Sequence, residues 1–210
     1  MDKKQIKEAL ETCLQDKGKK KFKQTVELII NYRGIDFKKP ENRLNLDIIL
    51  PKGRGKEPKI IVFADGQPAL EAKQAGAEVI AGDQIPELAK NKNKVKTMAN
   101  HSEFLAEPKL MAVVGKHLGQ VLGTRKKLPT PLVGNVKSAI DQAKRRTRVT
   151  TKGRYLPVTQ CPVGSEDMEI NDLVDNIETV HDKLKGKISD HNIKSVYVKL
   201  TMGKAIKLSD

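Results

Sequence analysis

Aromatic side chains are scarce in this 210-residue chain: Phe, Tyr and Trp make up 3% of it, and Trp is absent. Leu, Ile and Val must therefore do most of the packing, within a hydrophobic content of 38%. Cysteine is nearly missing as well. Cys13 and Cys161 are the only two, and neither lies in a Cys-x-x-Cys pair, so nothing supports a zinc or redox site and two reduced thiols are expected. No apolar run approaches the roughly 20 residues that a membrane span needs. Met1-Asp2-Lys3-Lys4-Gln5 has none of the apolar character of a signal peptide, and a cytoplasmic protein is expected. His101, His117, His181 and His191 are scattered, without metal-ligand spacing or a Ser or Cys partner. Neither Gly-x-Gly-x-x-Gly after a strand nor Gly-x-x-x-x-Gly-Lys-Ser/Thr occurs. The expectation is no enzyme, no catalytic or metal residue and no cofactor.

Positive charge is what the chain has in excess, with 40 Lys and Arg against 26 Asp and Glu, a formal net charge of +14. The excess is regional. Residues 1–65 hold 16 basic and 10 acidic residues, 66–152 hold 16 and 7, and 153–210 hold 8 and 9. Regional positive charge points to an anionic polymer, above all nucleic acid, with a general solubility surface as the bland alternative.

The periodicity predicts a helix over Lys3–Asp16 and strands over Thr25–Ile30 and Leu44–Leu50. After the turn-rich Pro51–Pro58 the pattern changes. Ile60–Phe63 and Glu78–Ala81 read as short buried strands, and Lys94–Ala99 as a third. Pro68–Gly76 and Gln84–Asn91 read as helices, and Lys90–Lys94 as a solvated loop. A helical stretch is expected from Ser102 toward Gly123, broken or kinked at Pro108. Such alternation implies parallel strands with crossover helices. Asn135–Arg146 reads as a helix ending in a basic run, Arg154–Val158 and Thr159–Val163 as strands, and Met168–Lys185 as an amphipathic helix. Ser195–Leu200 and Ala205–Leu208 read as a closing hairpin. Neither terminal third has enough core alone. The expected architecture is thus α+β and α/β: one discontinuous antiparallel-sheet domain from residues 1–62 and 154–210, interrupted by an inserted α/β domain at 63–153. Two connections would act as a double hinge.

Three glycines, Gly115, Gly119 and Gly123, fall at intervals of four in a segment that runs into Arg125-Lys126-Lys127 and Pro129. On a helix they share one bare face, open to close approach of another backbone.

Four blocks together resemble the universal first ribosomal protein of the large subunit, the stalk protein family, in its archaeal-type form. They are Lys21-Phe22-Lys23-Gln24-Thr25-Val26-Glu27 (family Lys-Phe-x-x-Thr-Val-Glu), Leu50-Pro51-Lys52-Gly53-Arg54-Gly55-Lys56 (Leu-Pro-x-Gly-x-Gly-Lys), the triple-glycine segment, and Ser195-Val196-Tyr197-Val198-Lys199-Leu200-Thr201-Met202-Gly203. The resemblance implies the same two-domain layout, with a split-βαβ terminal domain and a Rossmann-like parallel insert. It implies a structural protein of the large ribosomal subunit, monomeric outside the ribosome. Its partners would be large-subunit ribosomal RNA, the protein's own mRNA, which it would repress, and tRNA at the exit site, whose release it would accompany. Many members read Gly-Pro-Arg-Gly-Lys-Met-Pro where this chain has Gly123-Thr124-Arg125-Lys126-Lys127-Leu128-Pro129. Lys126 replaces a glycine there, so a left-handed backbone would be costly.

The family's RNA-contacting positions map onto Lys21, Phe22, Thr25, Ser195, Thr201, Met202 and Gly203. In chemical terms, Phe22 among lysines could stack on a base or pack at a strand entrance. Gly203 could allow positive φ, the Thr201 hydroxyl could meet a 2′-hydroxyl, and Met202 could pack on a sugar; an ordinary hairpin turn is the alternative. Arg125, Lys144, Arg145, Arg146 and Arg148 read as secondary phosphate contacts, or as a solvated helix end. Two rival functions remain open on the residues: a nucleotide-using enzyme built on the α/β middle, and a regulator that binds messenger RNA alone.

Overall fold

The computed structural model describes residues 2–151 and 155–209. In chain order the elements are α1 (Lys3–Leu14), β1 (Thr25–Tyr32), β2 (Asn45–Ile49), β3 (Lys59–Phe63), α2 (Gly66–Gln74), β4 (Glu78–Ile80), α3 (Gln84–Lys90), α4 (Lys92–His101), β5 (Ser102–Ala106), α5 (Pro108–Thr124), β6 (Thr130–Pro131), α6 (Val136–Arg145), β7 (Arg146–Thr150), β8 (Val158–Ser165), α7 (Ile170–Lys185), β9 (Ile193–Leu200) and β10 (Ile206–Ser209). Residues up to Lys56 and from Arg145 onward form one compact unit, and Glu57–Lys144 form the other. The sequence reading drew its junctions at 62/63 and 153/154; residue 153 and the expected strand start at Arg154 lie outside the described residues.

The terminal unit is built on an antiparallel sheet in the order β10-β9-β1-β8. Its central strand β1 comes from the amino-terminal part of the chain, and both of its neighbours from the carboxy-terminal part. β1 alternates half-buried and buried residues along its whole length. Val26, Leu28, Ile30 and Tyr32 join Val196, Val198 and Leu200 of β9 in one core with Ile6 and Leu10 of α1 and Leu173, Ile177, Val180 and Leu184 of α7. Period-2 strands against period-3.6 helices give this layered arrangement. The intervening residues Thr25, Glu27, Ile29 and Asn31 point to the other face of the sheet, opposite Lys199, Tyr197 and Ser195 in register.

Two expectations change in this unit. β2 does not join the main sheet but pairs with β7, Asn45↔Thr150 through Ile49↔Arg146. The basic run is therefore split: α6 ends at Arg145 and Arg146–Thr150 is a strand, because Val149 and Thr147 are buried and need an extended chain to reach the core. Of the two strands expected around Val158, Thr159–Val163 lies within β8, whereas Tyr155–Pro157 ahead of it is not strand.

The inserted unit holds a parallel sheet in the order β4-β3-β5-β6. Ile61 and Phe63 face one core with Val114, Leu118 and Leu122 of α5, and Ile60 and Val62 face another with Ile140 of α6, so both faces are covered. Here four readings change. Lys94–Ala99 is helical, within α4: its alternation of Lys and Val mimics a strand, but Val95 and Ala99, four apart, are both buried, and Asn91 caps the helix by accepting from Lys94 N–H at 3.1 Å. Lys90–Lys94 is accordingly the α3–α4 junction rather than a loop. Ser102–Ala106 is the missing strand β5, buried at every position between β3 and β6 and so without alternation. Pro108 does not kink a helix; it opens α5, where its missing N–H costs nothing.

Candidate nucleic-acid interface

At one end of the terminal unit, the lead-in to β1 meets the turn after β9. Thr25 and Thr201 are bonded in both directions: Thr201 N–H donates to Thr25 O at 3.1 Å, and Thr25 N–H donates to Thr201 Oγ1 at 3.1 Å. The Thr201 hydroxyl donates to Thr25 O at 3.3 Å. Next to this pair, Met202 N–H donates to Gln24 Oε1 at 3.1 Å. These links cross more than 170 positions of sequence and bring Phe22, Thr25, Thr201, Met202 and Gly203 into one neighbourhood. Phe22 is 50% exposed and Met202 64%, so neither is spent on the core. In a chain this poor in aromatics, an exposed Phe beside an exposed Met is an unfilled apolar surface.

The charge around it is sorted. Lys23 pairs with Asp167 at 2.7 Å, and Lys19 with Asp16 at 2.6 Å. Those bonds hold the Asp167 and Asp16 carboxyls below their ordinary range. Lys20 and Lys21 have no ion-pair partner among the described residues and are exposed. Lys21 thus offers an unneutralised cation next to Phe22.

Three sequence-level roles change with the geometry. The Thr201 hydroxyl spends its one proton on Thr25 O and one lone pair on Thr25 N–H, which leaves it a single acceptor site toward a ligand. Gly203 does not occupy the positive-φ region. A Cβ there would meet Leu200 Cβ at 3.2 Å, so glycine serves the tightness of the turn. Ser195 lies six residues back along β9, about 20 Å at strand rise. It is nearly buried and accepts from Asn31 Nδ2 at 3.1 Å, so it sits at the far end of the half-exposed sheet face rather than beside Phe22. Tyr197 and Lys199 lie between, on the same face.

The basic candidates also separate. Arg146 and Arg148 reach Asp47 on the partner strand, Arg148 Nε at 2.7 Å and Arg146 Nη1 at 3.4 Å, and Arg146 is 8% exposed. They stitch β2 to β7. Lys144 pairs with Glu57 at 3.2 Å. Arg145 and Arg125 are exposed, with no ion pair among the described residues. The bare helix face is real: among the described residues, Cβ atoms added at Gly115 and Gly119 would meet nothing within 4 Å. Past that helix, Lys126 does adopt φ 56°, closing α5 with Lys127 N–H on Leu122 O and Lys126 N–H on Gly123 O, both at 2.9 Å. The turn-rich block before the insert is scaffolding. Buried Asn176 donates to Gly53 O at 2.8 Å and accepts from Lys52 N–H at 3.1 Å. Gly55, at φ 71°, has no room for a Cβ, which would fall 2.6 Å from Ser165.

Residues 9–204 match the ribosomal protein L1p/L10e family. The chain belongs to this family. A large ribosomal subunit protein uL1 of Thermococcus kodakarensis is 38% identical over 213 residues, covering 99% of this chain and 98% of the relative. That of Methanothrix thermoacetophila is 40% identical over 210 residues, covering 98% and 99%, and that of Methanosarcina acetivorans 40% over 214 residues, covering 98% of each. Membership in the L1p/L10e family makes the chain a ribosomal protein and not an enzyme, which removes the nucleotide-using rival. It also fits the fold, an antiparallel sheet in one unit and a parallel sheet in the other. Among the described residues no helix is long and apolar enough to cross a membrane. Sequence reasoning missed Gln24, Tyr197 and Lys199. The first falls at an unspecified position of the Lys-Phe-x-x-Thr-Val-Glu block; the other two were signalled by the alternation along Ser195–Leu200.

Proposed function

We propose that this protein is a component of the large ribosomal subunit, in the cytoplasm, that grips large-subunit ribosomal RNA with the Phe22–Met202 end of its terminal unit. The observation that carries the reading is the junction of Gln24–Thr25 with Thr201–Met202, which sets two exposed apolar side chains beside an unpaired Lys21. Phe22 stacks on a base or ribose, Met202 packs on a sugar, and Thr201 offers its remaining lone pair to a 2′-hydroxyl. Ser195, Tyr197 and Lys199 continue the surface along β9. Arg145 and Arg125 supply phosphate contacts without sequence preference. Two further roles are what the resemblance to the stalk protein family implies. An mRNA segment that presents the same shape would occupy the same surface, so the protein represses its own message. The basic inserted unit, moving on its two connections, takes part in release of tRNA from the exit site. Outside the ribosome the protein is a monomer.

The test is filter binding to deproteinised large-subunit RNA. Phe22→Ala and Met202→Ala change exposed side chains and should fold normally. Each is expected to weaken binding about tenfold or more, the range of base stacking on a side chain. Wild-type affinity in both variants would overturn the site.

A further inference from the structure

Gln24 is the one residue of the Lys21–Glu27 block whose side chain is polar and fully enclosed, at 1% exposure. We propose that it is a positioning residue for RNA binding: its amide fixes the backbone of Met202 and so sets the Thr201-Met202-Gly203 turn before RNA arrives. The proposal rests on that turn being part of the RNA surface.

Three segments converge on this amide. Oε1 accepts from Met202 N–H at 3.1 Å, while Nε2 donates to Glu166 Oε2 and to Asp16 O, both at 3.3 Å. A backbone N–H can only donate, and a carbonyl or carboxylate can only accept. The partners therefore dictate which end of the amide points where, and a flipped amide would face three mismatches. Glu166 is itself tied to the same residue, its N–H donating to Gln24 O at 3.0 Å. The clamp thus draws its rigidity from the stretch after α1 and from the connection between β8 and α7.

The turn needs such a clamp at one position. Thr201 N–H is held by Thr25 O, and Gly203 N–H by Leu200 O at 2.9 Å. Met202, between them, lies beyond the β1–β9 ladder, and its side chain is too exposed for packing to hold it. Its backbone N–H is anchored by Gln24. A loosened Met202 leaves the ladder and the core intact but makes RNA pay the cost of ordering the turn.

The experiment compares wild type with Gln24→Met, which has similar volume and no acceptor, and Gln24→Asn, which keeps an amide one methylene too short. Each is assayed for binding to deproteinised large-subunit RNA and for amide hydrogen exchange of the whole protein. The two single variants are expected to weaken binding about tenfold and to speed Met202 exchange at least about tenfold, the scale of one lost hydrogen bond, while Val26, Leu28 and Val198 keep their protection. If affinity stays at the wild-type level in the single variants, or falls only in step with lost protection of those core amides, the positioning role is overturned. Phe22→Ala measured on the same RNA separates the two readings. A loss there, with none in Gln24→Met, rejects the clamp and keeps the site; no loss in either rejects both.

Discussion

Lys126 holds a backbone conformation that glycine adopts without strain. Its φ of 56° puts Cβ against the carbonyl at the α5 terminus, where its own N–H bonds Gly123 O and the next N–H bonds Leu122 O. The strain should be measurable: Lys126→Gly is expected to raise the stability of the inserted unit by about 0.5–1 kcal/mol in urea unfolding. An unchanged midpoint would mean the bend is relaxed as it stands. At this scale the sequence revealed chemistry better than partnership. Phe22 and Met202 were named through the resemblance, since by their chemistry alone a strand entrance and an ordinary hairpin turn stayed open; the structure leaves both exposed. Gln24 was not named, because a glutamine ahead of a strand is unremarkable until residues 16, 166 and 202 arrive beside it. The Thr201 hydroxyl was misjudged for the same reason, since Thr25 lies 176 positions away.

Among the elements, β7 decides what the basic run can do. With Asp47 opposite, Arg148 and Arg146 are committed to the β2–β7 pair. Arg148→Gln is therefore expected to leave the salt dependence of RNA binding unchanged while lowering stability by about 0.5 kcal/mol, modest because the pair is partly exposed. Arg145→Gln, one residue from the strand but unpaired, is expected to make the plot of log affinity against log salt shallower by about 0.7–0.9, one phosphate contact. Equal slopes for both variants would remove Arg145 from the interface. The run gave no hint of its split in sequence, because charged residues carry no period of their own and the strand is specified by the partner. α4 and β5 went wrong for a related reason. A short stretch of alternating Lys and Val satisfies a strand pattern by accident, and a strand enclosed on both faces shows no pattern at all.

The whole molecule has cores that share no residue. One is drawn entirely from positions 6–50 and 149–208, the other two from 60–143. The chain leaves and returns side by side, since Glu57 pairs with Lys144 and Leu50 N–H donates to Arg145 O at 3.1 Å. Joining Lys56 to Arg145 through a short glycine linker is therefore expected to give a cooperatively folding terminal unit that keeps its affinity for deproteinised large-subunit RNA to within about tenfold, losing only basic contacts of the insert. A chain that fails to fold would show that the insert stabilises what surrounds it. The terminal unit also carries an acid sensitivity. Burial first, and then the nearby Lys185, lower the His181 pKa from its ordinary 6.5. The unfolded chain then takes up the proton before the folded one does. His181's contribution is complete above about pH 6.5 and is lost as the pH falls toward its folded value. Replacing it with Gln should flatten that acid limb of the stability profile. The two-unit plan was legible because the change from alternating strands to strand–helix repeats follows from element lengths alone. The separate β2–β7 pair was not, because nothing local distinguishes it from the main sheet.

The central place of β1 has a bearing on biosynthesis. This strand leaves the ribosome early, but the two strands that flank it come from codons more than 120 positions later. At about 5–20 residues per second, β1 waits roughly 8–34 s for Leu200 to emerge, and the inserted unit has time to complete its own sheet meanwhile. Until then the Phe22 end has no turn to meet. A nascent chain is thus unable to assemble the proposed surface until the residues after Leu200 have emerged to meet Gln24 and Thr25.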